Sequence, residues 1–599
     1  MAENVSDFII ERLYDWGVRR IYGYPGDGIN GLIGALERFD NKIEFVQVRH
    51  EEQAAFMACA HAKLTGEVGV CLATSGPGAI HLLNGLYDAK ADHAPVVAIV
   101  GHAATTAIGG DYQQEVDLPT LFKDVASSYE SMISSPVAAR HVVDRAMRTA
   151  MGLRTVTAII VPKDIQERPA VKKPPRKHNT LHSGIGYSRP RVIPQERDLR
   201  RAAEILNGCE RVAMLIGAGA RNAEEEIVEV ADKLQCGIAK ALLGKAVVPD
   251  DIPYVTGTIG LLGTQASQEM MSNCDGLLMV GTSFPYSEFL PKEGQARGVQ
   301  IDIDPRMLGL RYPMELNLVG DARDTLAELL PLLDRKSDDS WRRRLIETRR
   351  KAEGVDKQRG DVTGHPMNPG PIFLELSPKL PDRCIVTADA GTSTNWAARY
   401  LQMRKGMKFS LSGGLATMGG AVPYAIAAKF CFPDRVAIAL TGDGAMQMNG
   451  LNEMITVAKY WKQWSNPLIV FFVNNNQDLN QVTWEMRFET GDPKYEVSQR
   501  LPDFPYAAYA ESLGFLGISI DRATQIGDAW DRALNADRPV ILEAHTDPAI
   551  SLLPPQITFE MAKEMAISMS KGDPEEVPVI FETAKELAAG LFPRRGGRK

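Results

Sequence analysis

The chain has 599 residues, 44% of them hydrophobic and 24% charged, with a formal net charge of -8. At roughly 100–200 residues per domain that is about three to five domains, long enough to bury their cores without staples. The charge balance speaks against nucleic acid as a partner, and no apolar run approaches the ~20 residues of a membrane helix. The seven cysteines are odd in number and lie at no metal-ligand spacing, so reduced, buried thiols in a cytoplasmic protein are expected. The first residues, from Met1 to Asp7, lack a basic region followed by an apolar stretch, so no signal peptide is expected.

In chain order, Val5 to Trp16 has helical periodicity and stops at Gly17. Strands are expected at 21–24, 43–48, 68–73, 96–100 and 158–161, with helical stretches between them. Apolar strands alternating with helices imply a parallel sheet covered on both faces. This first domain is assigned to 1–165. Residues 166–195 are basic and proline-rich around Arg168 to Lys177 and read as an exposed linker. A second α/β block covers 196–335, with strands at 212–216, 276–280 and 299–303. Residues 336–365 form a charged, helical or irregular linker. A third block, 366–552, has strands at 384–387, 436–440, 468–473 and 539–543, and 553–599 is a helical tail. The fold class is therefore α/β, with three doubly wound parallel-sheet domains. The first and third blocks are candidates for one fold without visible sequence similarity.

The most informative segment is Gly442, Asp443, Gly444 and Ala445 directly after a strand, followed after residue 473 by Asn474, Asn475 and Asn476. Glycines after a strand let backbone N–H groups approach a diphosphate. A carboxylate and an amide oxygen suit magnesium, which keeps phosphate oxygens in its shell. Both groups lie at the carboxyl ends of strands, where open α/β sheets bind ligands.

This pair of segments resembles the GDG and NN motif of thiamine diphosphate enzymes, and the resemblance to the pyruvate oxidase and acetolactate synthase family extends over nearly the whole chain. It implies that Asp443 and Asn476 give side-chain oxygens to magnesium and that Asp478 gives its main-chain carbonyl, with Leu479 in the same loop. The spacer is longer than usual around Tyr460 to Ser465, and the three asparagines leave the register ambiguous by one. The run from Val48 to Ala55 resembles the activating-glutamate segment, so Glu51 is expected to bond the cofactor's aminopyrimidine. A carboxyl in that role needs shelter; the alternative is that Glu51 or Glu52 caps the following helix. Gly413 to Gly419 resembles the loop beneath the bent cofactor, which places Met418 under it and turns the carbonyl of Ala416 toward the pyrimidine. Gly391, Thr392 and Ser393 are expected to add phosphate donors. The segments holding Ser75, Pro25 with Gly26, and Gln114 resemble loops that approach the cofactor from the first domain. Because Glu51 and Asp443 belong to different domains, the family places the site between subunits, in a homodimer or homotetramer.

Val482 and Glu485 follow the cofactor loop, Val482 over the reacting carbon and Glu485 where pyruvate oxidases carry an acid. In the middle block Gly217, Gly219, Arg221, Phe284, Asp302 and Asp304 lie in stretches that resemble the flavin-binding ones of pyruvate oxidase, which implies FAD; nucleotide-free scaffolding is the alternative, since the third glycine of GxGxxG is missing. Gln113 and Asp27 depart from residues usual in the family and point to a more polar 2-oxo acid or acceptor. The implied activity is decarboxylation of a small 2-oxo acid, pyruvate first, with oxidation of the enamine through FAD. The alternatives are an acetolactate-synthase-like carboligase and a catalytically silent cofactor-binding protein. In the tail Ile580, Ala584, Leu587 and Leu591 make an apolar stripe before a basic end, read as a packed helix, with membrane-surface contact the alternative.

Overall fold

The computed structural model describes residues 3–360, 366–550, 559–580 and 582. Three six-stranded sheets form in sequence, every pairing between their strands parallel. The first sheet contains Arg20–Gly23 (β1), Glu44–Gln47 (β2), Gly69–Ala73 (β3), Val96–His102 (β4), Glu130–Met132 (β5) and Val156–Pro162 (β6). The middle sheet contains Val212–Ile216 (β7), Gly237–Lys240 (β8), Val255–Thr258 (β9), Gly276–Val280 (β10), Arg297–Asp302 (β11) and Leu316–Val319 (β12). The third contains Ile385–Ala388 (β13), Lys408–Ser410 (β14), Ala437–Gly442 (β15), Ile469–Asn475 (β16), Leu516–Ile520 (β17) and Val540–His545 (β18).

The first sheet runs β2-β1-β3-β4-β6-β5 and the third β14-β13-β15-β16-β18-β17, which is the same order counted from each sheet's first strand. The two blocks thus share a topology that their sequences hide. In both, the order reverses between the first and third strands, and the loops after those strands border a crevice suited to a ligand. The middle sheet, β12-β11-β10-β7-β8-β9, reverses instead between β7 and β10.

The first and third domains share one apolar core. Its centre is the helix Glu51–Thr65 against the helix Ala421–Cys431. Both helices are alanine-rich and buried nearly all round, so their backbones approach closely and neither keeps a polar face. Between the domains the two proline-rich or charged segments are tied down. Residues 166–195 run from the first domain, where Arg148 donates to the carbonyls of Gly184 (2.5 Å) and Gly186 (3.3 Å), to the middle domain, where Arg189 pairs with Asp321 at 2.9 Å. Within 336–365, the helix Ser340–Gly360 presses Trp341 and Leu345 into the middle domain's core. Of the tail stripe only Ile580 is described, exposed; Ala584, Leu587 and Leu591 lie outside the described residues. Among the described residues no helix is long and apolar enough to cross a membrane.

Candidate active site

The crevice of the third sheet is built from the ends of β13, β15 and β16. Asp443 follows β15 and is 3% exposed. Its Oδ1 accepts the N–H of Gly444 at 2.8 Å, and its Oδ2 accepts those of Asn476 at 3.0 Å and Gln477 at 2.5 Å. Burial pushes the carboxyl up to about 7 despite these amides. Such a buried, pre-oriented carboxylate is poised for a cation that would hold it ionised. The asparagines sort themselves by their partners. Asn474 accepts from the Thr546 hydroxyl at 2.8 Å, and Asn475 donates to Asp503 at 3.0 Å and Glu543 at 2.8 Å. Asn476 alone sits against the Asp443 carboxylate, with its Oδ1 accepting the N–H of Asp478 at 3.2 Å. The Asp478 side chain turns inward to Lys494 at 3.1 Å and Asn480 at 3.1 Å.

Across the crevice, Gly391 takes a φ of +129°, and a Cβ built on it, or on Gly442, meets nothing within 4 Å. These two glycines border open space, as a backbone cradle for a diphosphate requires. Ser393 spends its hydroxyl on the Thr441 carbonyl at 3.0 Å, which leaves the Gly391 and Thr392 backbone as the donors on that side. A Cβ on Gly444 would fall 2.7 Å from Leu479 and 3.9 Å from the Met418 methyl, so Met418, Leu479 and the Asp443 loop converge. Ala416 holds a left-handed φ of +53°, unusual for a residue with a Cβ, at the exposed tip of its loop. Val482 is 45% exposed on the helix Asn480–Glu485, and Glu485 accepts from Gln481 at 2.8 Å. Gln481 in turn accepts from Asn395 at 2.7 Å and so ties this helix to the Gly391 side.

The first sheet presents a different set. Glu51 opens the helix Glu51–Thr65 and is 7% exposed. Its Oε2 lies 2.9 Å from Nδ1 of His81, whose ring stacks on that of His50 with centroids 4.4 Å apart. Sequence reasoning missed His81, which sits six residues after Ser75 in the same loop-and-helix segment; its spacing from the glycine-rich turn was the available signal. Glu52 has the structural role that Glu51 lacks. It accepts from Asn84 at 2.5 Å and from Asn449 of the third domain at 2.7 Å. Gly26 rests on Thr74, where a Cβ would sit 2.5 Å from its side chain, and Pro25 beside it is exposed. Ser75 donates to Gln114 at 3.4 Å, and Gln114 is exposed with a φ of +62°. Gln113 is exposed, and Asp27 lies 3.6 Å from Lys163. Among the described residues no hydrogen bond or ion pair joins Glu51 to the Asp443 loop of the same chain.

In the middle sheet Gly217 and Gly281 face each other across the β7–β10 crevice. A Cβ on Gly217 would lie 2.6 Å from the Gly281 carbonyl, and one on Gly219 2.8 Å from the Gly281 Cα. The glycines are thus required by close approach of the chain to itself. Arg221 donates to the main-chain carbonyl of Lys63 at 2.8 Å, across the domain boundary. Phe284 is buried against Tyr286. Asp302 accepts the N–H of Asp304 at 2.9 Å, and Asp304 holds Arg306 at 2.7 Å.

Two parallel sheets of one topology, one with a glycine-lined crevice around a buried acid and the other with a sheltered glutamate, define an α/β enzyme that binds a diphosphate cofactor. The chain belongs to the thiamine pyrophosphate enzyme family. Residues 3–121 match its N-terminal TPP binding domain, 199–329 its central domain and 389–544 its C-terminal TPP binding domain. The chain is similar to the putative thiamine pyrophosphate-containing protein YdaP of Bacillus subtilis, 36% identical over 584 residues, which covers 96% of this chain and 98% of that protein. It is 30% identical over 577 residues to a probable acetolactate synthase large subunit of Methanocaldococcus jannaschii, covering 92% and 93%. It is 29% identical over 552 residues to the pyruvate oxidase of Lactiplantibacillus plantarum, covering 90% and 87%.

Proposed function

We propose that this enzyme decarboxylates a small 2-oxo acid, pyruvate first, with thiamine diphosphate and magnesium, and passes the electrons to FAD. The observation that carries the cofactor assignment is the Asp443 carboxylate, fixed by three backbone amides beside the open space at Gly391 and Gly442. Bound thiamine diphosphate supplies the electron sink for loss of carbon dioxide. The chain's share is to bind, orient and shelter. Asp443, Asn476 and the Asp478 carbonyl would hold the magnesium. Gly391, Thr392, Gly442, Gly444 and Ala445 would offer the diphosphate their backbone. Met418 and Ala416 would border the bound cofactor's rings. Glu51 holds a proton at the aminopyrimidine ring, with His81 at 2.9 Å fixing the orientation of its carboxyl group. Val482, Glu485 and Gln114 border the 2-oxo acid, and exposed Gln113 and Asp27 favour a polar substrate or acceptor.

Glu51 and Asp443 belong to different domains, and by the resemblance to the pyruvate oxidase and acetolactate synthase family the site is completed by a second copy, in a homodimer or homotetramer. FAD rests on the resemblance of the stretches holding Gly217, Gly219, Phe284, Asp302 and Asp304, at the loops bordering the middle sheet's crevice, to the flavin-binding ones of pyruvate oxidase. A second reading, a carboligase, is favoured by the engagement of Arg221 with Lys63, which takes the one cation of that crevice's first loop away from a diphosphate. An absorbance spectrum of the purified enzyme with pyruvate separates the two. Flavin bands that bleach anaerobically on adding pyruvate are expected. A colourless protein that forms acetolactate selects the carboligase, and no turnover of any 2-oxo acid with saturating cofactors overturns both.

A further inference from the structure

The loop that carries Ala416 and Met418 is tied at both feet by carboxylates, one from each of two domains. At its start Asp92 of the first domain accepts the N–H of Gly413 at 2.9 Å and of Gly414 at 2.6 Å, one on each carboxylate oxygen. At its end Asp389, directly after β13, accepts the N–H of Gly419 at 2.8 Å and of Gly420 at 3.1 Å. Between the feet, Leu415 and Ala416 are exposed. The Thr417 hydroxyl accepts from Asn84 of the first domain at 3.1 Å. Glycine is required at both feet. A Cβ on Gly414 would sit 2.9 Å from the Ala91 carbonyl, and Gly419 has a φ of +89°.

The first foot is backed by a buried charge. The Lys63 ammonium bonds Asp92, the Tyr424 hydroxyl at 2.6 Å and the Leu411 carbonyl at 3.0 Å, and lies 3.5 Å from Asp88, which accepts from Tyr424. Lys63 and Asp92 side chains are only 3% and 2% exposed. A buried ion pair of this kind adds little net stability, but it specifies geometry when all its members are satisfied. The Lys63 carbonyl also receives Arg221, so first, middle and third domains meet at this residue. Among the described residues the second foot has no counter-charge. Asp389 is 1% exposed, its Oδ2 has no partner, and burial pushes its carboxyl up to about 7.

We infer that Asp92 and Asp389 are positioning residues that clamp the 413–420 loop and so set where Met418 and the Ala416 carbonyl meet the cofactor, with Lys63 locking the first clamp to the packing of the first domain on the third. The inference rests on the proposed cofactor site. Both carboxylates bond the loop's own amides, so each acts through the loop. At the Asp92 foot, backed by Lys63, charge-assisted bonds from paired amides are stronger and more directional than neutral ones, which suits a loop whose tip must be rigid though exposed. An error of about 1 Å at such a tip is worth roughly 100-fold in rate.

Hydrogen exchange of the cofactor-free full chain, combined with turnover of pyruvate at saturating thiamine diphosphate and magnesium, tests this. In Asp92→Ala and Asp389→Ala the amides of 413–420 are expected to exchange faster, while the strands beside them keep their protection. Turnover should fall about 10–100-fold with a smaller rise in the cofactor's apparent KM. Asp92→Asn, which keeps an acceptor, should fall between. Should Asp92→Ala fail to fold with Lys63 left to Asp88 alone, Asp389→Ala at the other foot carries the same expectation. Unchanged exchange of the loop overturns the clamp. Faster exchange with wild-type turnover overturns its positioning role. Wild-type protein that binds no thiamine diphosphate overturns the functional reading instead, and the cofactor-free exchange pattern keeps that failure distinct.

Discussion

The first and third sheets have the same strand order but load their crevices with opposite chemistry. The third places an acid and bare glycines at the ends of β13 and β15, a setting for a metal-bound diphosphate. The first places Pro25, Gly26 and Ser75 at the corresponding ends, and a sheltered carboxylate, Glu51, opens a helix after β2. On the proposed reading a shared scaffold supplies two half-sites, one for the anion and one for the proton, and function resides in the loops rather than in the topology.

That division is broken most directly at Glu51. Replacing Glu51 by Gln is expected to lower pyruvate turnover by about 10²–10⁴-fold, since only proton transfer is lost, while thiamine diphosphate affinity stays within a few-fold. Turnover at the wild-type rate would remove Glu51 from the mechanism. On the other sheet, Asp443→Ala is expected to weaken cofactor binding in the presence of magnesium by more than about 100-fold, because ligands matter more than their supporting shell. Calorimetry showing normal binding would reassign the metal.

The pH dependence of stability sharpens the comparison next. Burial pushes Asp389 and Glu453 up to about 7. Asp389 faces backbone amides, and Glu453 accepts the N–H of Arg49 at 2.7 Å with the Arg49 guanidinium and His50 nearby. Each folded pKa lies above its unfolded value, so the native state binds more protons between about pH 4 and 7. Cofactor-free protein should therefore lose stability as pH rises through that window, by roughly 5 °C in Tm or more. Glu453→Gln should flatten the slope, and an unchanged slope would contradict the burial account. The smallest effect on turnover is expected at Gly69 of β3, where a Cβ would collide with the Ala58 backbone carbonyl. Gly69→Ala should cost about 3 kcal/mol of stability or more and leave turnover at saturation unchanged.

Much of this was legible in the sequence, and the misses share a cause. The buried strands β3, β4, β7, β10, β15 and β16 announced themselves as continuous apolar runs. The unmarked strands β5, β9, β12, β14 and β17 are all at sheet edges, and β8 lies next to one. They are only three to five residues long, and most alternate or mix burial, so no apolar run betrays them. In the site, residues next to glycine turns were readable because backbone geometry restricts them. Asp389 had a readable signal too, an acid directly after a buried strand, as at Asp443. His81 and Asp92 did not stand out, because their partners Glu51 and Gly413 are 30 and 321 residues away and only the fold brings them together.

The central claim is that a divalent ion held by Asp443 anchors thiamine diphosphate at the third sheet's crevice. Calorimetric titration of the wild-type protein with thiamine diphosphate, with magnesium and again with a chelator in excess, tests it most directly. Binding that needs the ion and disappears with the chelator is predicted. Binding that ignores the ion, or no binding at all, would contradict it.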